Sequence, residues 1–160
     1  LNKYLEGKTL DVGCGIGDFL SFKKNSVGVD INPELVEFCR GKGLEAKIMK
    51  VNSIPFQNST FESVILDNVL EHISEPKPII NEIKRVLKKD KNLVVGVPGK
   101  SGYSRDKDHK VFYSKNDLIN FMDKHNLKLE KIFGMPLNFS FIQNFMTQYC
   151  VYGIFKNHKK

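Results

Sequence analysis

The stretch "TLDVGCGIGDF", residues 9–19, places Gly13, Gly15 and Gly17 on alternate positions behind Asp11 and a short apolar run. Glycines in such a loop let the backbone turn sharply and let a ligand lie against bare peptide. Seventeen residues after Gly13, a second apolar run, "VGVD", ends on Asp30. A carboxylate there can accept hydrogen bonds from both hydroxyls of a ribose. Glycine loop and acid together imply a nucleoside-containing cofactor.

The spacing then discriminates among cofactors. The dinucleotide pattern G-x-G-x-x-G needs glycine where Asp18 stands, and no G-x-x-x-x-G-K-[ST] phosphate loop occurs in the chain. What stands here is D-x-G-x-G-x-G, with Asp11 beside the loop. An acid in that place suits an ammonium group and repels a pyrophosphate. S-adenosylmethionine carries an ammonium, a ribose and an adenine without any phosphate, and it fits.

The elements that must position these residues follow from pattern. Short runs rich in β-branched residues predict strands near Thr9–Val12, Val27–Asp30, Ala46–Met49, Ser63–Leu66 and Leu93–Val97, with two more around Leu127–Phe133 and Gln148–Phe155. Helices are expected over Gly17–Lys23, Pro33–Lys42 and Pro78–Leu87, and from a Ser114 cap through His125. Asn32 before Pro33 reads as an N-cap, with Leu35, Phe38 and Cys39 facing the sheet. Alternating strands and helices call for a parallel sheet covered on both faces, and a glycine loop at a strand's carboxyl end is where such sheets bind ligands. The polar, basic stretch "GKSGYSRDKDHKVFYS" reads as a long, mobile loop, and "GMPLNFSFIQNFMT" as either a short helix or core.

These blocks, "LDVGCGIGDFL", "VGVDIN", "IPFQNSTFESVILDNVLEHI" and "EIKRVLKKDKNLVVGVP", in this order, resemble the class I S-adenosylmethionine-dependent methyltransferases, in particular the small type 11 family. The resemblance runs from Leu10 to Pro98, and "DHKVFYSKNDLINF" extends it. It implies a Rossmann-like α/β fold, a mostly parallel seven-stranded sheet with one antiparallel strand and helices on both faces. It further implies that Asp11, Gly13, Cys14, Gly15 and Gly17 surround the methionine part of the cofactor. Asp30 would hold the ribose, Ile31 would pack on the adenine, and Asn52, Ser53 and Ile54 would support the adenine edge. Leu66, Asp67 and Asn68 would border the sulfonium. The product would be S-adenosylhomocysteine, and no metal is called for. Three departures stand out: Lys50 where an aspartate usually accepts from adenine, Glu62 for an aspartate, and Asp90, Lys91 and Asn92 for a glycine turn.

Methyl transfer asks chiefly for alignment and exclusion of water, and a hydroxyl or amine acceptor also asks for a base. His72 and His109 are the candidates for catalysis, although the residues favour other readings, His72 as a structural hydrogen-bonding residue and His109 as a solvated loop residue. Glu71 reads as solvated or capping, Cys14 as a small spacer, and Cys39 and Cys150 as core. The aromatic series Phe133, Phe139, Phe141, Phe145 and Tyr149 reads as packing or as an apolar pocket.

Composition sets the remaining bounds. A chain of 160 residues suffices for one domain, read as a cofactor-binding half over 1–98 and an acceptor side over 99–160. The net charge of +7, from 25 Lys and Arg against 18 Asp and Glu, attracts anionic partners. A small, anionic acceptor is favoured over RNA or protein, since no aromatic-interleaved nucleic-acid motif accompanies the charge. A catalytically inactive cofactor-binding module is the third reading. No apolar stretch approaches the roughly 18 residues of a membrane span, no leader opens on Leu1, and three scattered cysteines suit reduced thiols in the cytoplasm. Oligomeric state leaves no signature.

Overall fold

The computed structural model describes residues 1–136 and 149–158. Seven strands, β1 (Thr9–Val12), β2 (Ser26–Asp30), β3 (Ala46–Ile48), β4 (Phe61–Asp67), β5 (Leu87–Pro98), β6 (Leu127–Met135) and β7 (Cys150–Asn157), form one sheet in the order β3-β2-β1-β4-β5-β7-β6. Strands β1 to β5 pair in parallel, whereas β7 runs antiparallel to both β5 and β6. This is the expected Rossmann-like methyltransferase architecture. The chain steps outward from β1 to β3, then returns to β4 on the other side of β1. The two paths diverge at the carboxyl ends of β1 and β4, which is where open α/β sheets leave a crevice.

Burial explains the strands. All four residues of β1 are buried, and β4 and β5 carry runs of buried residues, the pattern of a sheet covered on both faces. Helix α3 (Lys77–Val86) turns Ile79, Ile80, Ile83 and Val86 onto one side of the sheet, into a core with Leu10, Val64, Leu66 and Val95. Helices α1 (Asp18–Phe22) and α2 (Pro33–Gly41) cover another part with Leu20, Val36 and Cys39. The Asn32 cap forms as expected, its side chain accepting from the Glu34 amide. Helix α5 (Lys115–Lys124) begins on a capping box between Ser114 and Asp117.

Several boundaries move. Phe38 does not face the sheet; it is exposed, with the Lys42 ammonium 4.3 Å over its ring, because Val36 and Cys39 take the buried stripe. Asp90, Lys91 and Asn92 make no separate turn: the chain passes from α3 directly into β5, and Asp90 absorbs the irregularity at φ 57°. Glu62, at the amino end of β4 and away from the carboxyl-end crevice, accepts from the Lys8 amide at 2.8 Å and pairs with Lys88. Residues 100–103 form the short helix α4 (Lys100–Tyr103) inside the predicted loop. Phe139, Phe141 and Phe145, and most of the ambiguous aromatic segment, lie outside the described residues.

Gly17 ties the glycine loop to this framework. It caps α1 at φ 81°, and a Cβ there would lie 2.7 Å from Leu44 Cδ1 and 2.9 Å from Cys39 Sγ. Gly17→Ala is therefore expected to cost at least about 1–2 kcal/mol from left-handed strain alone, read as a lower urea midpoint at unchanged slope.

Candidate functional site

The loop after β1 gains its shape from backbone bonds to β2: the amides of Gly13 and Cys14 both donate to the Val29 carbonyl, at 2.8 and 3.1 Å. Gly13, at φ 77°, sits under Val69, whose Cγ2 lies 2.5 Å from where a Cβ would be. Asp30, ending β2, accepts from the Gly15 amide through Oδ2 at 3.0 Å and from the Asn32 amide through Oδ1 at 2.9 Å. Each carboxylate oxygen keeps a second lone pair for another donor. The acid that closes the second strand thus also holds the glycine loop in place.

Between these loops lies a cleft of about 920 Å³. Gly13, Asp30, Ile31, Asn52, Asn68 and His72 are among the residues lining it, and no lysine or arginine among the described residues does. Ile31 and Val51 present apolar side chains that are 60% and 72% exposed beside it. Asn52 is held at φ 58° in a tight turn where the Ser53 amide donates to the Lys50 carbonyl. That turn leaves the Lys50 side chain exposed, outside the lining of the cleft.

Other predicted residues stand back from the cleft. Cys14 packs into the helix layer above Gly28, where a Cβ would lie 2.6 Å from its Sγ. Leu66 and Ile54 are core residues, and Ser53 is exposed without lining the cleft.

Beneath the loops the sheet gathers negative charge. Asp11 is 4% exposed, and its carboxyl is pushed up to about 7, first by burial and then by Asp67 and Asp30. Burial also raises Asp67, opposed by a hydrogen bond from the Tyr152 hydroxyl at 3.1 Å. Gly96 makes room for that pair, since a Cβ there would collide with Asp67 Oδ1. Asp11 and Asp67 stand behind the cleft without lining it; Asp30, Glu75 and Asp108, which do line it, complement a cationic ligand, and the exposed Ile31 and Val51 offer an apolar face to a flat base. The donor set fits S-adenosylmethionine and opposes a phosphate.

A second cleft, of about 600 Å³, adjoins the first and shares Asn68 and His72 with it. Arg105, Lys107, Glu71 and His109 line its other side. The loop carrying them is docked rather than loose, with the Lys110 and Val111 amides donating to the Glu71 carbonyl at 2.8 and 3.1 Å. His109 is not a solvated residue: its side chain is 8% exposed, stacked on Tyr103 and 4.7 Å from the His72 ring between centroids. Glu71 is not solvated either. It is 1% exposed, and burial pushes its carboxyl up to about 7. Sequence reasoning missed Glu71, Val69 and Tyr152. Glu71 adjoins the predicted His72, whereas the role of Tyr152 depends on a pairing with Gly96 that only the sheet order discloses.

A family model of the type 11 methyltransferase domain matches residues 10–95. The chain belongs to this family. The cofactor of these methyltransferases is S-adenosylmethionine, the molecule for which the cleft has the right chemistry. The chain superposes on an S-adenosylmethionine-dependent methyltransferase from Thermotoga maritima with a TM-score of 0.78 at 18% identity, covering 95% of this chain and 82% of that one. It is 36% identical over 93 residues to a ubiquinone biosynthesis O-methyltransferase of Xanthomonas oryzae, spanning 51% of this chain and 38% of that protein. It is 33% identical over 92 residues to a tRNA (carboxymethyluridine(34)-5-O)-methyltransferase of Xenopus tropicalis, spanning 54% of this chain and 15% of that protein. The chain spans 58% and 51% of the length of two curated relatives that it matches over longer stretches.

Charge crowding at Asp11 has a testable sign. The folded chain keeps a proton that the unfolded chain releases near 3.8. This contribution to stability is complete below about pH 4 and is lost as pH rises through about 7. Asp11→Asn fixes the side chain in an uncharged form. The variant's urea midpoint is expected to gain on that of the unmodified protein between those limits; a constant difference would remove Asp11 from the account.

Proposed function

We propose that this methyltransferase domain moves a methyl group from S-adenosylmethionine to a small, anionic acceptor seated in the second cleft. The observation that carries the reading is the joining, at Asn68 and His72, of a cleft lined only by acids among its charged residues to one that adds Arg105 and Lys107 beside Glu71 and Asp106. One is lined by carboxylates without lysine or arginine, and the other includes Arg105 and Lys107. When bound, the cofactor supplies a methyl group on a positively charged sulfur, open to in-line displacement.

The chain's own residues do the rest. Asp30 accepts from the ribose while keeping the Gly15 amide in place, and Ile31 covers the adenine. The backbone of Gly13, Cys14, Gly15 and Gly17 follows the methionine part, above the negative field of Asp11. Asn52, with Ser53 and Ile54 shaping its turn, reaches the adenine edge in place of the missing aspartate at Lys50. Leu66 fixes the end of β4, so that Asp67 and Asn68 border the reacting carbon. His72 and His109 stand beside the acceptor's nucleophile and handle its proton, and the docked loop keeps water out.

Residues 1–160 act as one domain in this proposal, 1–98 holding the donor and 99–160 shaping the acceptor side. The likeness to the ubiquinone O-methyltransferase supports a small-molecule acceptor. The net charge of +7 and the likeness to the tRNA enzyme favour RNA as the second reading. No helix among the described residues is long and apolar enough to cross a membrane. Cys14, Cys39 and Cys150 are free, which suits the reducing cytoplasm.

Labelled donor incubated with fractionated extract is expected to label small anionic acceptors. Label confined to RNA establishes the second reading, and cofactor binding without any transfer establishes an inactive module. In calorimetry with S-adenosylhomocysteine, Asp30→Ala is expected to lose about ten- to a hundredfold in affinity, the worth of a charged hydrogen bond. Ile31→Asp should weaken binding while leaving the melting temperature unchanged, because that side chain is 60% exposed. Unchanged affinity in both variants would refute the assigned cleft.

A further inference from the structure

We propose that Glu71, His72 and His109 form a binding site for one divalent transition-metal ion at the wall of the acceptor cleft. One potential ligand atom from each of the three lies within 4.8 Å of the others. Their hydrogen-bond partners make the case. His109 Nδ1 lies 2.9 Å from the Tyr103 carbonyl and His72 Nδ1 lies 3.4 Å from the Asp108 carbonyl. A carbonyl only accepts, so each Nδ1 carries the hydrogen, and in the neutral ring each Nε2 presents its lone pair. Backbone carbonyls that fix the tautomer in this manner are the usual support of metal-binding histidines.

Glu71 completes the set with an unpaired demand. Its side chain is 1% exposed, and neither Oε1 nor Oε2 has a hydrogen-bond partner. Oε1 faces His109 Nε2 at 3.8 Å, acceptor against acceptor when the ring is neutral and the acid ionised. A buried carboxylate left without a donor is costly, and a cation between the three groups removes the cost. Two imidazoles and one carboxylate suit zinc and its neighbours in the transition series, whereas magnesium prefers oxygen ligands.

The site opens on the second cleft, which Glu71, His72 and His109 all line. Three protein ligands leave coordination positions for water or for an oxygen of the acceptor. What the ion would act on rests on the methyl-transfer reading; whether it binds does not. An ion there would acidify an acceptor hydroxyl held beside the donor's methyl group, so that His72 and His109 would promote loss of its proton through the metal they hold. The hydroxyl proton would leave to solvent, the oxygen would form its bond to the methyl carbon, and the carbon–sulfur bond would break with its electrons returning to sulfur.

The test uses the whole chain, stripped with a chelator and titrated with Zn2+ alone by calorimetry. One saturable equivalent is expected, weakened at least about tenfold in both Glu71→Gln and His109→Asn, while S-adenosylhomocysteine binds all three proteins alike. No saturable zinc binding to the unmodified chain overturns the site and leaves a shared proton as the occupant. Equal zinc affinity in the variants overturns the ligand assignment, and displacement by equimolar Mg2+ overturns the class of ion. Should Glu71→Gln fail to fold, His109→Asn decides alone. Zinc binding in a chain that refuses S-adenosylhomocysteine would keep this site and refute the donor cleft instead.

Discussion

The divergence of the chain on either side of β1 is the constraint from which the site follows. Two parallel strands whose connections leave in opposite directions cannot be covered by the same helix, so a gap opens above their carboxyl ends. The gap is useful only if the backbone at its rim stays thin and fixed. Thinness comes from Gly13 at φ 77° beneath Val69, and fixity from the Asp30 carboxylate grasping the Gly15 amide. One side chain thereby anchors the loop and retains lone pairs for a ligand.

Electrostatics give the two clefts different tastes. Asp11, Asp30 and Asp67 share one end of the sheet, and the first is driven up to about 7 by burial and by its acidic neighbours. Such crowding works against folding at neutral pH, and a bound positive charge relieves it. Across Asn68 and His72 the lining changes to include Arg105 and Lys107. The second cleft thus offers charges of both signs, Arg105 and Lys107 beside Glu71 and Asp106, where the first offers acids alone.

Much of this was legible from residue order, because local signals coincide with function here. The D-x-G-x-G-x-G spacing, the acid closing β2 and the Asn32 cap depend on neighbours within a few residues, and they form the loop, strand end and helix start expected of them. Errors gather where tertiary packing decides. Phe38 has the right helical spacing for burial, yet α2 is rotated so that Val36 and Cys39 take the sheet side. Glu71 looks solvated as an isolated acid; the docking of the later loop through the Lys110 and Val111 amides is what buries it. Cys14, Leu66 and Ile54 lie close in sequence to residues that line the cleft, but are themselves buried in the protein, so a motif names the segment beside a cleft more reliably than it names the lining residues.

The antiparallel strand β7 has a consequence for how the domain comes into being. It is the last strand in sequence yet lies between β5 and β6, and it delivers Tyr152 to Asp67. A nascent chain emerging from the ribosome can pair β1 through β5 early, whereas β6 has no neighbour until β7 threads in beside it. The acidic end of the sheet therefore lacks its phenolic partner until β7 has been made.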